Sequence, residues 1–360
     1  MNTELRAATR LHAVDNLRVL LTVLVVLHHV ALTYGNIPMW YYTEPAADPS
    51  GLALDILVVM NQAFFMGLFF LISGFFTPGS HDRKGGRAFA RDRLVRLGVP
   101  LLVFLVLLRP LVTLPDYLTG EPFWQVYLRT WDPGPMWFAE VLLVLGLAYA
   151  LCRRRGSTAQ EAQAAPTAPK ARWIVLFTVG LAAVTVLWRI PVPVGTYVPV
   201  LGLPTPYFLP QYVSMFAAGL VAFRRGWFET LPRRAGRLGF VVAGASTAVC
   251  LPVMGTTSGA VTDAITATWE IVFAVGMILG LVVLFRERFA GQGPRGRFLS
   301  EHAYTVYVVH PLVVVAAGYA LSGIQAAAIV KFALAAALCL PLCWGLAYLV
   351  RSLPGARRVL

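Results

Sequence analysis

The sequence predicts an all-α, polytopic membrane protein with about ten transmembrane helices and both termini in the cytoplasm. Three observations carry that expectation. Of the 360 residues, 58% are hydrophobic and 13% charged, against about 25% charged in soluble domains, and the mean hydropathy is +0.69. Apolar runs recur along the whole chain, near 17–34, 52–76, 94–115, 136–152, 171–188, 207–223, 238–254, 265–285, 303–321 and 326–350, each close to the roughly 20 residues that cross a bilayer as a helix. Finally, 26 of the 30 Lys and Arg fall in the two termini and in every second loop, which the positive-inside rule assigns to the cytoplasm. Arg109, Arg129, Arg189 and Lys331 alone are left for spans and outer loops. One span missed or invented would break this alternation. The net charge of +13 therefore orients the chain in its membrane rather than recruiting nucleic acid.

The first run, Asp15 to Tyr34 (DNLRVLLTVLVVLHHVALTY), carries Arg18 at its start and His28 and His29 deep inside. It lacks the short apolar region and small-residue cleavage site of a signal peptide, and apolar segments follow it to the end of the chain. Eleven helical steps make about three turns, so Arg18 and His29 share one face, about 16 Å apart along the axis. One long, thin ligand could touch both. His29 lies about 18 Å in from the cytoplasmic side, and an ionisable group at that depth marks a functional site or a hydrogen bond to a neighbouring helix. His28 faces another neighbour.

The second span ends in NQAFFMGLFFLISGFF, where Asn61 and Gln62 need partners at mid-depth and Gly67 and Gly74 permit close packing. Next comes RKGGRAFARDRLVRLGVP, with Arg93 and Arg96 three apart at a membrane entry. Guanidinium groups there suit phosphate; anchoring to anionic lipid is the alternative. Arg109 stands in the outer part of the third span.

WDPGPMWFAEVLL opens the fourth span and places Glu140 about one turn inside. Its two readings, a catalytic or acceptor-orienting carboxylate and a structural ion pair, stay open, as they do for Glu270 in the eighth span. A flexible cytoplasmic linker is expected at about 153–171, rich in Ala, Pro, Thr and Gln. Six prolines between 191 and 210 make the next outer connection irregular. In the ninth span, LSEHAYTVYVVHPLVVV, Tyr307 and His310 share a face, and Pro311 frees a carbonyl one turn earlier. That pair lines the path of a polar cofactor or closes a buried hydrogen-bond network. Lys331 in the last span has no partner legible in the sequence.

The four cysteines, Cys152, Cys250, Cys339 and Cys343, have no metal or redox spacing. There is no phosphate-binding loop, no dinucleotide fingerprint, no HExxH pair and no Gly-x-Ser-x-Gly elbow. ATP hydrolysis, a serine nucleophile and a metal site are therefore not expected.

Taken together, Arg18 followed after ten residues by His29, then FFLISGFF, RDRLVRLGVP, GPMWFAE and AYTVYVVHP in that order, resemble the acyltransferase-3 family of integral membrane proteins. Its members O-acylate glycans, lipopolysaccharide, peptidoglycan and some antibiotics. The resemblance covers essentially the whole chain as one transmembrane domain, 1–360. It implies a multi-pass plasma-membrane enzyme that moves an acyl group, acetyl by family habit, from cytoplasmic acyl-CoA to a hydroxyl of a glycan, lipid or secondary-metabolite acceptor. His29 would then be the general base, with Glu140 orienting the acceptor or the imidazole. Arg18, Arg93 and Arg96 would hold the donor's phosphates, with Tyr307 and His310 along its path. The expected partners are that acceptor and membrane lipids, not nucleic acid. The chain stops at Leu360 without the hydrolase-like domain many members add, so direct acylation of the acceptor is expected. The alternative is a proton-coupled transporter or flippase of an amphipathic small molecule or lipid-linked glycan, against which stands the lack of repeated halves.

Overall fold

The computed structural model describes residues 3–155, 165–199 and 202–360, apart from the side chains of 3–11, 119, 154 and 155. Ten long helices follow one another: α1 (Thr3–Tyr34), α2 (Gly51–Lys84), α3 (Gly86–Val112), α4 (Trp137–Arg155), α5 (Ala171–Trp188), α6 (Leu209–Arg225), α7 (Arg233–Met254), α8 (Gly259–Arg288), α9 (Pro294–Leu321) and α10 (Ala328–Ser352). Among the described residues the only strand-like pairing is an isolated bridge between Val198 and Leu203. Among the described residues, nine of these ten helices are long and apolar enough to cross a membrane. The exception is α6, with 17 residues. The preceding 3₁₀ turn, Pro206–Phe208, takes over the segment that the expectation of ten full spans had given to it, because Pro206 and Pro210 cannot donate into a regular ladder. At about 1.5 Å per residue α6 still rises about 25 Å.

Contacts between helix ends give each helix its direction. The Asn16 side chain donates to the carbonyls of Phe289 (2.8 Å) and Gly291 (2.9 Å), so α1 starts where α8 ends. Arg224 at the end of α6 pairs with Asp82 at the end of α2 at 2.7 Å, and Arg286 at the end of α8 donates to the Leu231 carbonyl just before α7 at 2.7 Å. Trp344 late in α10 donates to Leu299 early in α9 at 3.1 Å. At the opposite end, Asp48 accepts from the first backbone N–H of α10, at Ala328 (2.8 Å), and Trp188 at the end of α5 donates to the Pro206 carbonyl at 2.9 Å. The ten helices therefore alternate in direction. The start of α1 and the end of α10 lie on one face, the face that carries most of the basic residues.

Two junctions position the site. Helices α2 and α6 run parallel in close contact: a Cβ on Gly74 would lie 2.1 Å from the Phe216 carbonyl oxygen, and one on Gly219 2.1 Å from that of Leu71. Only glycine admits backbones that near. Helix α3 is interrupted by two π-turns, Leu94–Gly98 and Phe104–Leu108, each followed within two residues by proline. Pro100 leaves the Arg96 carbonyl without its helical partner, and the Tyr304 hydroxyl of α9 takes it at 2.6 Å. The Leu105 carbonyl likewise accepts from Tyr127 at 3.2 Å.

Most of the expected linker, 156–164, lies outside the described residues. Its last part docks on the end of α6, where Thr167 N–H donates to the Arg225 carbonyl at 3.1 Å. Among the described residues all four cysteines are free, with Cys339 and Cys343 buried between helices.

Candidate active site

Along α1 the stripe Arg18, Thr22, Val25, His29 and Thr33 follows the helical repeat. His29 meets α9 at His310, whose Nε2 lies 3.2 Å from His29 Nδ1. His29 Nδ1 is also 2.8 Å from the Val25 carbonyl oxygen, and His310 Nδ1 is 2.7 Å from that of Tyr307. A carbonyl can only accept, so each Nδ1 carries the proton in a neutral pair. His310 Nε2 is then an acceptor that shares the His29 Nδ1–H with Val25, and His29 Nε2 keeps an unprotonated lone pair. The Tyr307 carbonyl is open to His310 because Pro311 has no N–H to give it. The proline expected to free a carbonyl thus fixes the tautomer of its neighbour.

His310 is fully buried, whereas His29 is half-buried and is the more accessible ring of the two. Trp40, in the connection after α1, lies over it with ring centres 4.1 Å apart. His28 points elsewhere, stacked on Phe65 at 5.2 Å and 3.4 Å from the Asn61 amide. Gln62 donates to the Tyr212 hydroxyl at 3.0 Å. Both mid-depth amides therefore find partners for their nitrogens, while the buried Asn61 Oδ1 has none among the described residues. Seven residues into the apolar run that begins near 303, His310 would lie about 10 Å deep, shallower than His29. The helix begins earlier, at Pro294, and the two imidazoles stand at one level.

Tyr307 spans α9 and α4 by donating its hydroxyl to the Pro135 carbonyl. Glu140 lies five residues beyond Pro135 toward the basic face, half-buried. No hydrogen bond or ion pair joins it to another described side chain, so it is not brought onto His29. The other intramembrane acid, Glu270, forms a buried ion pair with Arg189. Lys331, 3% exposed, pairs with Glu44. That contact ties down the connection 35–50, which also donates from Glu44 N–H to the Thr33 carbonyl at 2.7 Å and from Asn36 to Asp55 at 2.7 and 2.8 Å. Trp40 is held over His29 by this strap. Sequence reasoning passed over Trp40; the triplet Trp40–Tyr41–Tyr42 after the first span reads as an interfacial aromatic belt, and nothing in its spacing points back at His29.

On the basic face Arg18 is partly exposed and 3.4 Å from Asp15. Arg93 lies over the Phe89 ring at 4.9 Å with a buried, unpartnered Nε. Arg96 pairs with Asp92 at 3.2 Å, as does Lys84 at 2.8 Å. Arg93 and Arg96 are thus side by side at the start of α3, while no hydrogen bond or ion pair links either of them to Tyr307 or His310.

A family model described as an acyltransferase domain matches residues 11–348. Proteins named glucans biosynthesis protein C, from Escherichia coli O1:K1 / APEC, O139:H28 (strain E24377A / ETEC) and O9:H4 (strain HS), are each 31% identical over 152 residues. Those matches cover 38% of this chain and 37% of each relative, so the chain matches well under half the length of these curated relatives. No solved structure matches.

Proposed function

The chain belongs to the acyltransferase-3 family of multi-pass membrane proteins, and from that premise we propose that it transfers an acyl group, acetyl in the simplest case, from cytoplasmic acyl-CoA to an acceptor hydroxyl with His29 as general base. The observation that carries the reading is the His29–His310 pair, which leaves one lone pair, on His29 Nε2, free to take a proton. As the acceptor oxygen attacks the thioester carbonyl, its proton passes to Nε2; when the C–S bond breaks, the imidazolium returns that proton to the leaving thiolate. His310 Nε2 accepts a hydrogen bond from Nδ1–H throughout, the orienting part played by the third member of a triad. His310 is therefore read as a positioning residue at the base rather than a contact of the donor.

Arg18, Arg93 and Arg96 would hold the donor phosphates on the basic face. The unpartnered Nε of Arg93 beside Arg96 supports that fit. Glu140 remains a candidate for orienting the acceptor by way of a bound group, not through His29. The acceptor is a hydroxyl-bearing glycan, lipid or small molecule, and the relatives' name favours a glucan.

Acetyl-CoA binding to the purified protein tests the reading without knowledge of the acceptor. Saturable binding, weakened about tenfold or more in Arg93→Ala and Arg96→Ala and competed by free CoA, is the expected result. Failure of folded protein to bind acetyl-CoA or any longer acyl-CoA would remove the donor assignment.

A further inference from the structure

At the outer mouth of the bundle, next to Trp40, sits a second set of polar groups that the proposed transfer leaves idle. Arg109 is only 6% exposed. One terminal nitrogen donates to the Thr130 carbonyl and the guanidinium lies 4.9 Å from the Tyr41 ring centre. Its Nε and its other terminal nitrogen have no partner, and neither do the buried Tyr41 hydroxyl and the buried Trp40 indole N–H. Folded proteins leave few such groups unpaired, and an unpaired ionic donor is the costliest kind. The rings run on from the base: His29 to Trp40 at 4.1 Å, then Trp40 to Tyr41 at 5.0 Å.

Among the described residues no acid is paired with Arg109. The Asp132 carboxylate faces the same cluster, held by Gly134 N–H at 2.6 Å and by the Tyr197 hydroxyl. Burial pushes Asp132 up from the usual carboxylate range, against the pull of Gly134 N–H and Arg109. Gly134 has a positive φ of 51°, and a Cβ there would sit 1.9 Å from the Tyr41 hydroxyl. The loop closes on the cluster only because that position is glycine.

We propose that Trp40, Tyr41, Arg109 and Asp132 form the acceptor subsite and that it takes a neutral polyhydroxylated ring, a pyranoside, from the outer face. The proposal rests on the acyl-transfer reading and adds the acceptor's chemistry to it. Orphaned donors on Arg109, Tyr41 and Trp40 call for acceptor oxygens, while Asp132 calls for a donor. Vicinal hydroxyls supply both. A carboxylate or phosphate would satisfy Arg109 but meet the like charge of Asp132, and a simple alcohol would leave most of the donors empty. Aromatic faces offer an apolar surface to the C–H side of a sugar ring, and the Trp40 ring leads from that ring to His29.

Full-length protein in nanodiscs, titrated with methyl glucoside, glucuronate and 1-hexanol, tests the subsite, with acetyl-CoA binding measured on the same samples. Methyl glucoside is expected to bind saturably and more tightly than the other two. Arg109→Gln and Asp132→Asn should each weaken it at least tenfold, and Tyr197→Phe, which removes only the hydroxyl that donates to Asp132, a few-fold. Equal binding by wild type and variants, no glucoside binding, or a preference for glucuronate or hexanol would each overturn the proposal. If Arg109→Gln and Asp132→Asn lose acetyl-CoA binding as well, they count as misfolded and Tyr197→Phe decides, unchanged glucoside affinity then overturning the subsite. Wild type that binds acetyl-CoA but no glucoside sinks the subsite alone. Wild type that binds glucoside but no acyl-CoA sinks the donor reading alone.

Discussion

Replacing His29 by Ala removes the one ring nitrogen of the pair that is free to take a proton, so kcat for acyl transfer is expected to fall about 10²–10⁴-fold. His310→Ala takes away no reacting atom; it removes one of the two acceptors of His29 Nδ1–H and leaves the Val25 carbonyl. It should therefore lower kcat by a smaller factor, about tenfold to a hundredfold, and leave the KM for acetyl-CoA near the wild-type value. Initial rates at varied donor concentration separate the two, and a KM effect as large as the kcat effect would place His310 with the donor instead. His29 was legible because an imidazole eleven residues from an arginine in an apolar run has few bland explanations. Its partner was legible only as a polar group in the ninth span. Which two helices meet, and at what height, is set by packing that one sequence does not encode in any local pattern. Trp40 was missed for the same reason, and Lys331 lacked a partner until the strap brought Glu44 to it.

At the scale of the element, a proline and an ion pair hold the site in place. Pro311→Ala restores an N–H that competes with His310 Nδ1–H for the Tyr307 carbonyl. The expected outcome is a straighter, slightly more stable α9 with kcat reduced several-fold, although no atom facing the substrate has changed. Unchanged kcat would mean that the tautomer is fixed by something other than this carbonyl. The strap over His29 hangs on Lys331 and Glu44. Lys331→Met strands a partly buried carboxylate, at a cost of about 3 kcal/mol, the low end for a broken buried pair because Glu44 is about a third exposed. Adding Glu44→Gln should recover much of that loss, as thermal unfolding of the single and double variants in detergent would show. Additive losses would mean that the two side chains act independently. The helices themselves were readable from apolar runs, but their ends were not. Helix α1 runs on through polar residues to Thr3, because backbone hydrogen bonding continues wherever the side chains favour a helix, whether or not lipid surrounds it.

For the whole molecule, alternation of helix direction and alternation of basic loops are independent observations that agree. The first comes from contacts between helix ends, the second from charge counted along the chain. The shortness of α6 is where they are tested hardest, since a chain that skipped this helix would end on the opposite side from its start. The Arg224–Asp82 pair at 2.7 Å puts the end of α6 beside the end of α2, which restores the even count. We expect the face bearing Arg93, Arg96 and Arg351 to be cytoplasmic. Cys152, exposed at the end of α4, then lies inside the cell, and Gln325, exposed in the turn between α9 and α10, lies outside. A membrane-impermeant maleimide applied to intact cells should leave Cys152 unmodified until the cells are permeabilised. In a Cys152→Ser background it should label Gln325→Cys at once. Labelling of both from outside, or of neither, would show that α6 does not cross, and the donor and acceptor would then have to approach His29 from the same side.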